Sequence, residues 1–189
     1  MDLEAAQRAI AQFLDALGHP AEGERAQTPE LVVQAWSREL LSGYARDPAQ
    51  ILREAAIARD GKEQEWVVLR DLEVVTMCPH HLLPAHGRAD VVYRPGPRLV
   101  GFGAVARALD ALGRRLTLQE TLGRSLTALL EQELGAEGAL CRLRMTHTCL
   151  VTRGARQHGA LVETLAFAGS FAQEPERQSA LAALGGGGR

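Results

Sequence analysis

The spacing of apolar residues changes from helical to strand-like near residue 60. Before that point, three segments have the apolar periodicity of amphipathic helices. They are residues 3–17, 24–44 and 47–59. Gly18 follows the first as a stop signal, while Thr28 is predicted to be the N-cap of the second, with Pro29 at its first helical position and Gly43 at its end. We therefore expect a helical N-terminal region over residues 1–60.

The remainder of the chain alternates strand-like and helical patterns. Strands are expected over residues 65–77, 138–154 and 160–171, a strand followed by a turn over 87–103, and helices over 103–112 and 117–135. This order predicts an α+β domain over residues 61–175, joined to the helical region through the polar segment at 58–65. The last residues, "LGGGGR", have little to pack with, so residues 176–189 are expected to form a flexible tail.

Composition excludes several classes of protein. The 189 residues are 46 % hydrophobic and 23 % charged, with a net charge of −2, which does not favour nucleic acid or an anionic membrane as the main partner. No segment approaches the ~20 apolar residues of a membrane span, and charges interrupt the first twenty residues, unlike a secretory signal. Three cysteines do not make a disulfide framework. We expect a cytoplasmic protein, where Cys with His indicates a metal or catalysis.

Two short clusters hold most of the candidate chemistry. "TMCPHHLLPAHG" at 76–87 contains Cys78, His80 and His81, and "THTC" at 146–149 contains His147 and Cys149. A catalytic zinc takes three protein ligands and leaves its fourth position for water. Cys78 and His81 are close enough to share one ion, with Cys149 as the distant third ligand, while His80 and His147 remain for proton transfer.

Other interpretations of these residues stay open. Cys141 and Cys149 are also compatible with buried apolar thiols, and a C-x-x-H pair alone is a weak signal for a metal. A closed structural zinc site would need a fourth ligand, for which His86 or His147 is available.

Several separated motifs resemble one family. They are "MCPHHLLPAHG", "VVYRP", "VGFGAVAR", "LQE", "THTCLVTRG" and "FAGSF", in the order and spacing of GTP cyclohydrolase I. The similarity covers roughly residues 3–172. It implies the tunnelling fold, in which antiparallel sheets are backed by helices. It also implies a homo-oligomer, commonly a decamer, in which subunits form a barrel with active sites at their interfaces.

The resemblance also implies a role for individual residues. It implies zinc bound by Cys78, His81 and Cys149, acid–base catalysis by His80 and His147, guanine binding by Glu120 with Gln119, and triphosphate binding by Arg107 and Arg153. The implied reaction is addition of zinc-activated water at C8 of GTP, opening of the imidazole ring, loss of formate, and closure to 7,8-dihydroneopterin triphosphate. Such a product would serve pterin and tetrahydrofolate biosynthesis.

The chain departs from the family where phosphate is expected to bind. Gly103 and Ala104 replace a serine and a lysine, Thr117 replaces a glutamine, and Pro79 replaces a glutamate beside the zinc ligands. A divergent relative, acting on a guanine compound with fewer phosphates or stopping at a ring-opened product, is therefore an alternative to a GTP cyclohydrolase. A non-catalytic, zinc-stabilised assembly or regulatory protein is a third, but it would have no need of the two acid–base histidines.

Overall fold

The computed structural model describes residues 1–59 and 66–185, which fall into two compact units. The units are Met1–Ser42 and Gly43–Arg189. Most of the polar segment predicted to join two domains, residues 60–65, lies outside the described residues, as do the last four residues of the chain. The structure divides the chain earlier than the predicted boundary at residue 60, so the third predicted helix belongs to the second unit.

The first unit is a pair of helices. Helix α1 spans Leu3–Ala16 and is capped by the side chain of Asp2. Helix α2 spans Thr28–Ala35 and continues into one π-helical turn, Trp36–Leu40. Two details differ from the prediction. The backbone is already helical at Gln27, so Thr28 does not act as the N-cap, and the π-helical turn ends at Leu40, while Gly43 lies within a separate 3-10 turn, Ser42–Ala45.

The second unit contains the remaining helices and the strands. In chain order these are α3 (Pro48–Ala55), β1 (Ala56–Ala58), β2 (Val67–Met77), β3 (Pro84–Arg94), β4 (Arg98–Val100), α4 (Phe102–Gly113), α5 (Gln119–Leu134), β5 (Gly138–His147), α6 (Thr148–Val151), β6 (Val162–Gly169) and α7 (Glu176–Gly185). The predicted strand over 138–154 ends at His147, where a short helix begins, and the third predicted helix ends at Ala55.

The four long strands form one antiparallel sheet with the order β2-β3-β5-β6. The short strands β1 and β4 pair separately. Residues of one sheet face, such as Val91 and Leu143, pack with Leu109 of α4 and Leu126 of α5 in the main core. The predicted α+β class, with an antiparallel sheet backed by helices, is confirmed. Within the described residues, none of the helices has the length and apolarity needed to cross a membrane.

The segment expected to be a flexible tail instead forms α7 across the other face of the sheet. Ala180 and Leu184 of this helix are buried against Val92 and Leu140, whose side chains point away from the main core because strand residues alternate between faces. Arg70 of β2 donates to the carbonyl oxygens of Ala183 and Leu184 at the end of the helix. Arg94 of β3 pairs with Glu176 at its start. Apolar burial and the contacts of two arginines therefore fix α7 against the sheet.

Candidate active site

The turn between β2 and β3 presents the first two candidate ligands. Met77 pairs with Pro84, and the turn is closed by hydrogen bonds from the Cys78 amide to Leu83 and from the Leu82 amide to the Cys78 carbonyl, both at 2.9 Å. Leu82 adopts a left-handed backbone conformation, with φ of 54°, that reverses the chain. The tight turn brings the side chains of Cys78 and His81 together, with Cys78 Sγ 3.6 Å from His81 Nδ1.

The end of β5 brings the third candidate ligand to the same place. His147, the last residue of β5, pairs with Ala85 at the start of β3, and α6 begins directly after it with Cys149 in its first turn. The Thr148 hydroxyl donates to the Pro84 carbonyl at 2.6 Å and so fixes the start of α6 to the turn. The sheet register thus explains how two distant sequence clusters meet.

The three candidate ligands have a geometry that fits a zinc ion. One sulfur or nitrogen atom from each of Cys78, His81 and Cys149 lies within 4.8 Å of the others. Tetrahedral zinc, with bonds of about 2.3 Å to sulfur and about 2.0 Å to nitrogen, holds such atoms about 3.5 Å apart. The 3.6 Å between Cys78 Sγ and His81 Nδ1 matches that separation. Two thiols and one imidazole also form the donor set of a catalytic rather than a closed zinc site.

A cavity of about 260 Å³ opens beside these three residues. His80, Glu120 and His147 line it, together with Gln119, whose side chain is only 2 % exposed. A larger cavity of about 700 Å³ lies beside α3 and α5, but no histidine or cysteine lines it. The smaller cavity therefore combines the three candidate metal ligands with two further imidazoles and a carboxylate.

Comparison with known proteins decides the family. The profile described as GTP cyclohydrolase I matches residues 6–185. The chain belongs to the GTP cyclohydrolase I family. The GTP cyclohydrolase 1 of Chromobacterium violaceum is 36 % identical over 94 % of this chain and 85 % of its own length, and that of Leifsonia xyli subsp. xyli is 36 % identical over 95 % and 93 %. The GTP cyclohydrolase 1 of Deinococcus radiodurans is 33 % identical over 89 % and 77 %.

A solved structure is also similar to part of this family member. The crystal structure of the archaeosine synthase QueF-Like in the apo form aligns with a TM-score of 0.45 and 16 % identity, covering 58 % of this chain and 98 % of that one.

Local charge and burial set the protonation states in this cyclohydrolase-family cavity. Burial lowers the pKa of His147, and the Glu120 carboxylate opposes that effect without cancelling it, so the imidazole is mainly neutral at pH 7. Burial raises the pKa of the Cys149 thiol, and neighbouring Cys78 raises it further, while the charge of Arg153 acts in the opposite direction. Metal binding at this pair of thiols would release protons.

The phosphate-binding candidates lie outside the cavity of a single chain. Among the described residues, neither Arg107 nor Arg153 lines it. Arg107 is exposed on α4, next to Gly103, and Arg153 lies in the exposed turn after α6. Ala104 is 2 % exposed and packs in the core. The cavity lining therefore includes seven of the nine predicted site residues, among them Gln119 and Glu120, but neither arginine, although Arg153 is close enough to influence the Cys149 thiol.

Two threonines that position the site were not predicted. Thr148 fixes the segment that carries Cys149, as described above. Thr76, which lines the cavity, donates to the Arg115 carbonyl at 3.3 Å and ties the end of β2 to the segment before α5. The neighbouring Met77 carbonyl accepts from the Thr117 amide in the same junction. The position of each threonine beside a ligand cluster is the only sequence signal for these roles.

Proposed function

We propose that the chain is a zinc-dependent GTP cyclohydrolase that opens the imidazole ring of GTP at C8, releases formate and yields 7,8-dihydroneopterin triphosphate. One observation carries this proposal. The Cys78, His81 and Cys149 ligand atoms converge beside a cavity that also contains two imidazoles and a carboxylate. A zinc ion that only stabilised the fold would not require His80, His147 and Glu120 around it.

Each side chain has a distinct task in this proposal. Cys78, His81 and Cys149 hold the zinc, which when bound supplies the Lewis acidity that activates water for addition to the purine. Neutral His147 accepts a proton during that step, and exposed His80 returns one as the ring opens and formate leaves. Glu120, exposed at the start of α5, accepts hydrogen bonds from N1–H and the exocyclic amine of guanine.

The placement of Arg107 supports an oligomer. Arg107 does not line the cavity of its own chain, which is consistent with a neighbouring copy bringing Arg107 to the triphosphate. In the described part of the chain, β2 and β6 are the edge strands of the four-stranded sheet. Their free backbone groups can pair with the edges of other copies and extend the sheet toward a closed barrel, for which a decamer is the family expectation.

A second candidate function differs in the number of phosphates. Gly103 and Ala104 offer no donor or charge, and Ala104 is also buried, so the triphosphate side of the site relies on Arg107 and Arg153. A guanine compound with fewer phosphates would meet the same zinc, imidazole and carboxylate groups. The missing polar groups therefore favour, as the alternative, a divergent cyclohydrolase whose substrate carries fewer phosphates.

Turnover of four guanine compounds tests both candidates. Zinc-loaded protein is incubated with GTP, GDP, GMP and guanosine while formate release and pterin fluorescence are followed. We expect formate from GTP, and a fall of about 10²–10⁴-fold in turnover for His147→Ala and His80→Ala with zinc content retained. Cys149→Ala should lose zinc and activity, whereas Cys141→Ala, the same change at a fully buried thiol outside the site, should keep both.

The outcomes separate the hypotheses. Formate from GMP or guanosine but not from GTP would support the alternative. Zinc binding without formate from any of the four compounds would contradict both and favour a non-catalytic assembly protein. Full zinc retention by Cys149→Ala would contradict the ligand assignment.

A further inference from the structure

The side-chain amide of Gln119 has only one possible orientation. Its nitrogen lies 3.1 Å from the Leu143 carbonyl oxygen, 3.1 Å from the Val162 carbonyl oxygen and 3.0 Å from the Thr164 hydroxyl oxygen. Carbonyl oxygens accept hydrogen bonds and never donate them. A flipped amide would place Gln119 Oε1 against two acceptors in a buried site, which is strongly unfavourable. The amide nitrogen therefore faces the sheet and the oxygen faces away from it.

The amide oxygen of Gln119 meets the ring of His147. His147 Nε2 lies 2.7 Å from Gln119 Oε1. Because an amide oxygen can only accept, the proton of this hydrogen bond belongs to His147 Nε2. In a neutral imidazole the other nitrogen then carries the lone pair.

We infer that Gln119 is a positioning residue that fixes His147 in its Nε2–H tautomer, so that Nδ1 is the nitrogen presented for proton transfer. The inference rests on the proposed function for its catalytic meaning. It assigns to the Gln119 side chain a role different from direct binding of guanine, since both of its amide protons are engaged by protein acceptors and its oxygen by His147.

The same hydrogen bond is compatible with both states of His147 in a proton-transfer cycle. When Nδ1 takes up a proton, Nε2 keeps its own and continues to donate to Gln119 Oε1. The ring can therefore accept and return a proton at Nδ1 without rotating or breaking its contact with α5. A fixed ring of this kind is what efficient general acid–base catalysis requires.

The tautomer is measured directly on the zinc-loaded, full-length protein labelled with ¹⁵N at histidine. Nitrogen NMR distinguishes protonated from unprotonated ring nitrogens, and the His147 signals are identified by their absence from His147→Ala. We expect a protonated Nε2 and an unprotonated Nδ1 in the unsubstituted protein. A proton on Nδ1 and a lone pair on Nε2 would overturn the inference. This measurement requires no substrate, so it decides the inference even if the protein fails to turn over GTP.

Steady-state kinetics with GTP provide the second readout. In Gln119→Met, a substitution of similar length without hydrogen-bonding groups, we expect kcat to fall by about 10–100-fold while KM for GTP stays within about threefold. The matched control is Gln132→Met, the same change at an exposed position of α5, which should keep kcat. Zinc content is compared in all samples so that metal loss is not mistaken for loss of positioning.

The opposite kinetic pattern would contradict the inference. A large rise in KM with unchanged kcat would show that the Gln119 side chain binds substrate. Where Gln119→Met fails to fold, Thr164→Val serves instead, because it removes one of three acceptors and leaves the two carbonyl oxygens to orient the amide. We expect Thr164→Val to retain the Nε2–H tautomer, and loss of that tautomer in a folded Thr164→Val protein would count against the amide orientation argued above.

Discussion

At the scale of single residues, Asp90 shows how the sheet accommodates a buried charge. The residue is 1 % exposed, and its carboxylate accepts hydrogen bonds from the Asp71 amide, from Arg142 through two nitrogens, and from Arg144. Burial alone would raise the pKa of Asp90, but the hydrogen bonds and the two positive charges outweigh burial and lower the pKa below its ordinary value. The carboxylate is therefore ionised throughout the neutral range.

We predict that Asp90→Asn lowers the free energy of unfolding by about 3 kcal/mol at pH 7, because it leaves Arg142 and Arg144 without their common partner. The folded-state pKa lies below the ordinary value, so the stabilisation is complete above that value and is lost as the pH falls through the lower, folded-state pKa. Urea unfolding of both proteins from pH 7 to pH 3 measures the difference. A gap that stays constant down to pH 3 would contradict this assignment.

Single residues also mark the limit of sequence reasoning at the site. The convergence of Cys78, His81 and Cys149 was predictable because the C-x-x-H pair, the distant cysteine and the family resemblance together indicate one metal site, and their role as zinc ligands stays a prediction. The contact between Gln119 and His147 was not predictable. It depends on how the start of α5 packs against β5 and β6, where Gln119 meets Leu143 and His147, and this packing is a long-range feature that local spacing does not reveal.

At the scale of elements, α7 is the clearest disagreement between pattern and structure. Its sequence is rich in alanine and polar residues and runs into glycines, so it lacks the strong apolar stripe of a predictable helix. It forms because Ala180 and Leu184 pack in an apolar patch made by Val92 and Leu140 of the sheet and by Phe171 of the turn after β6. Tertiary contacts thus determine the secondary structure of a segment whose local helix propensity alone does not.

We predict that Leu184→Ala lowers the free energy of unfolding by about 2–4 kcal/mol, since Leu184 is 5 % exposed within this patch. Gln178→Ala, an exposed position of the same helix, is the control and should change stability by less than about 0.5 kcal/mol. Chemical denaturation of both variants provides the values. Equal stability of the two variants would mean that α7 does not contribute to the fold as described.

At the scale of the whole molecule, the phosphate side is where this chain differs from its family. Because Gly103 and Ala104 provide no polar group, we expect only a weak preference for the triphosphate, with kcat/KM for GTP exceeding that for GMP by about tenfold. Initial rates with the two nucleotides measure this ratio. A ratio above about a thousand would show that other groups, such as arginines or lysines from neighbouring copies, restore the missing contacts.

The structure also indicates which substitution best tests whether a restored polar group strengthens triphosphate binding. Gly103 is exposed, and a Cβ atom there would meet only the end of the Arg107 side chain at 3.4 Å. Ala104 is buried in the core, so Ala104→Lys would cost about 1–3 kcal/mol through overpacking unless its side chain escapes to solvent. Gly103→Ser is therefore the cleaner test, and it should raise the GTP-over-GMP ratio without changing stability greatly.

We predict that two variants with reduced GTP turnover, Arg107→Ala and Cys149→Ala, complement each other if neighbouring copies share a site. Arg107→Ala retains zinc but lacks its phosphate contact, while Cys149→Ala lacks zinc but can lend Arg107. Co-assembled in equal amounts, they should recover about a quarter of the unsubstituted activity, because each complete site needs one particular neighbour. Activity no greater than that of the two variants assayed separately would place Arg107 outside a shared site.

The position of strand β3 has a further consequence, because β3 lies between the two segments that carry the candidate metal ligands. A zinc ion joining Cys78 to Cys149 would close a loop of about seventy residues, whose closure has a substantial entropic cost. In a zinc finger the free energy of zinc binding offsets the entropy that the chain loses on folding. Here the pairs Met77–Pro84 and Ala85–His147 already close the loop through backbone hydrogen bonds. The metal-free chain should thus keep its fold. A chelator would remove the zinc and leave a preformed site that can bind zinc again.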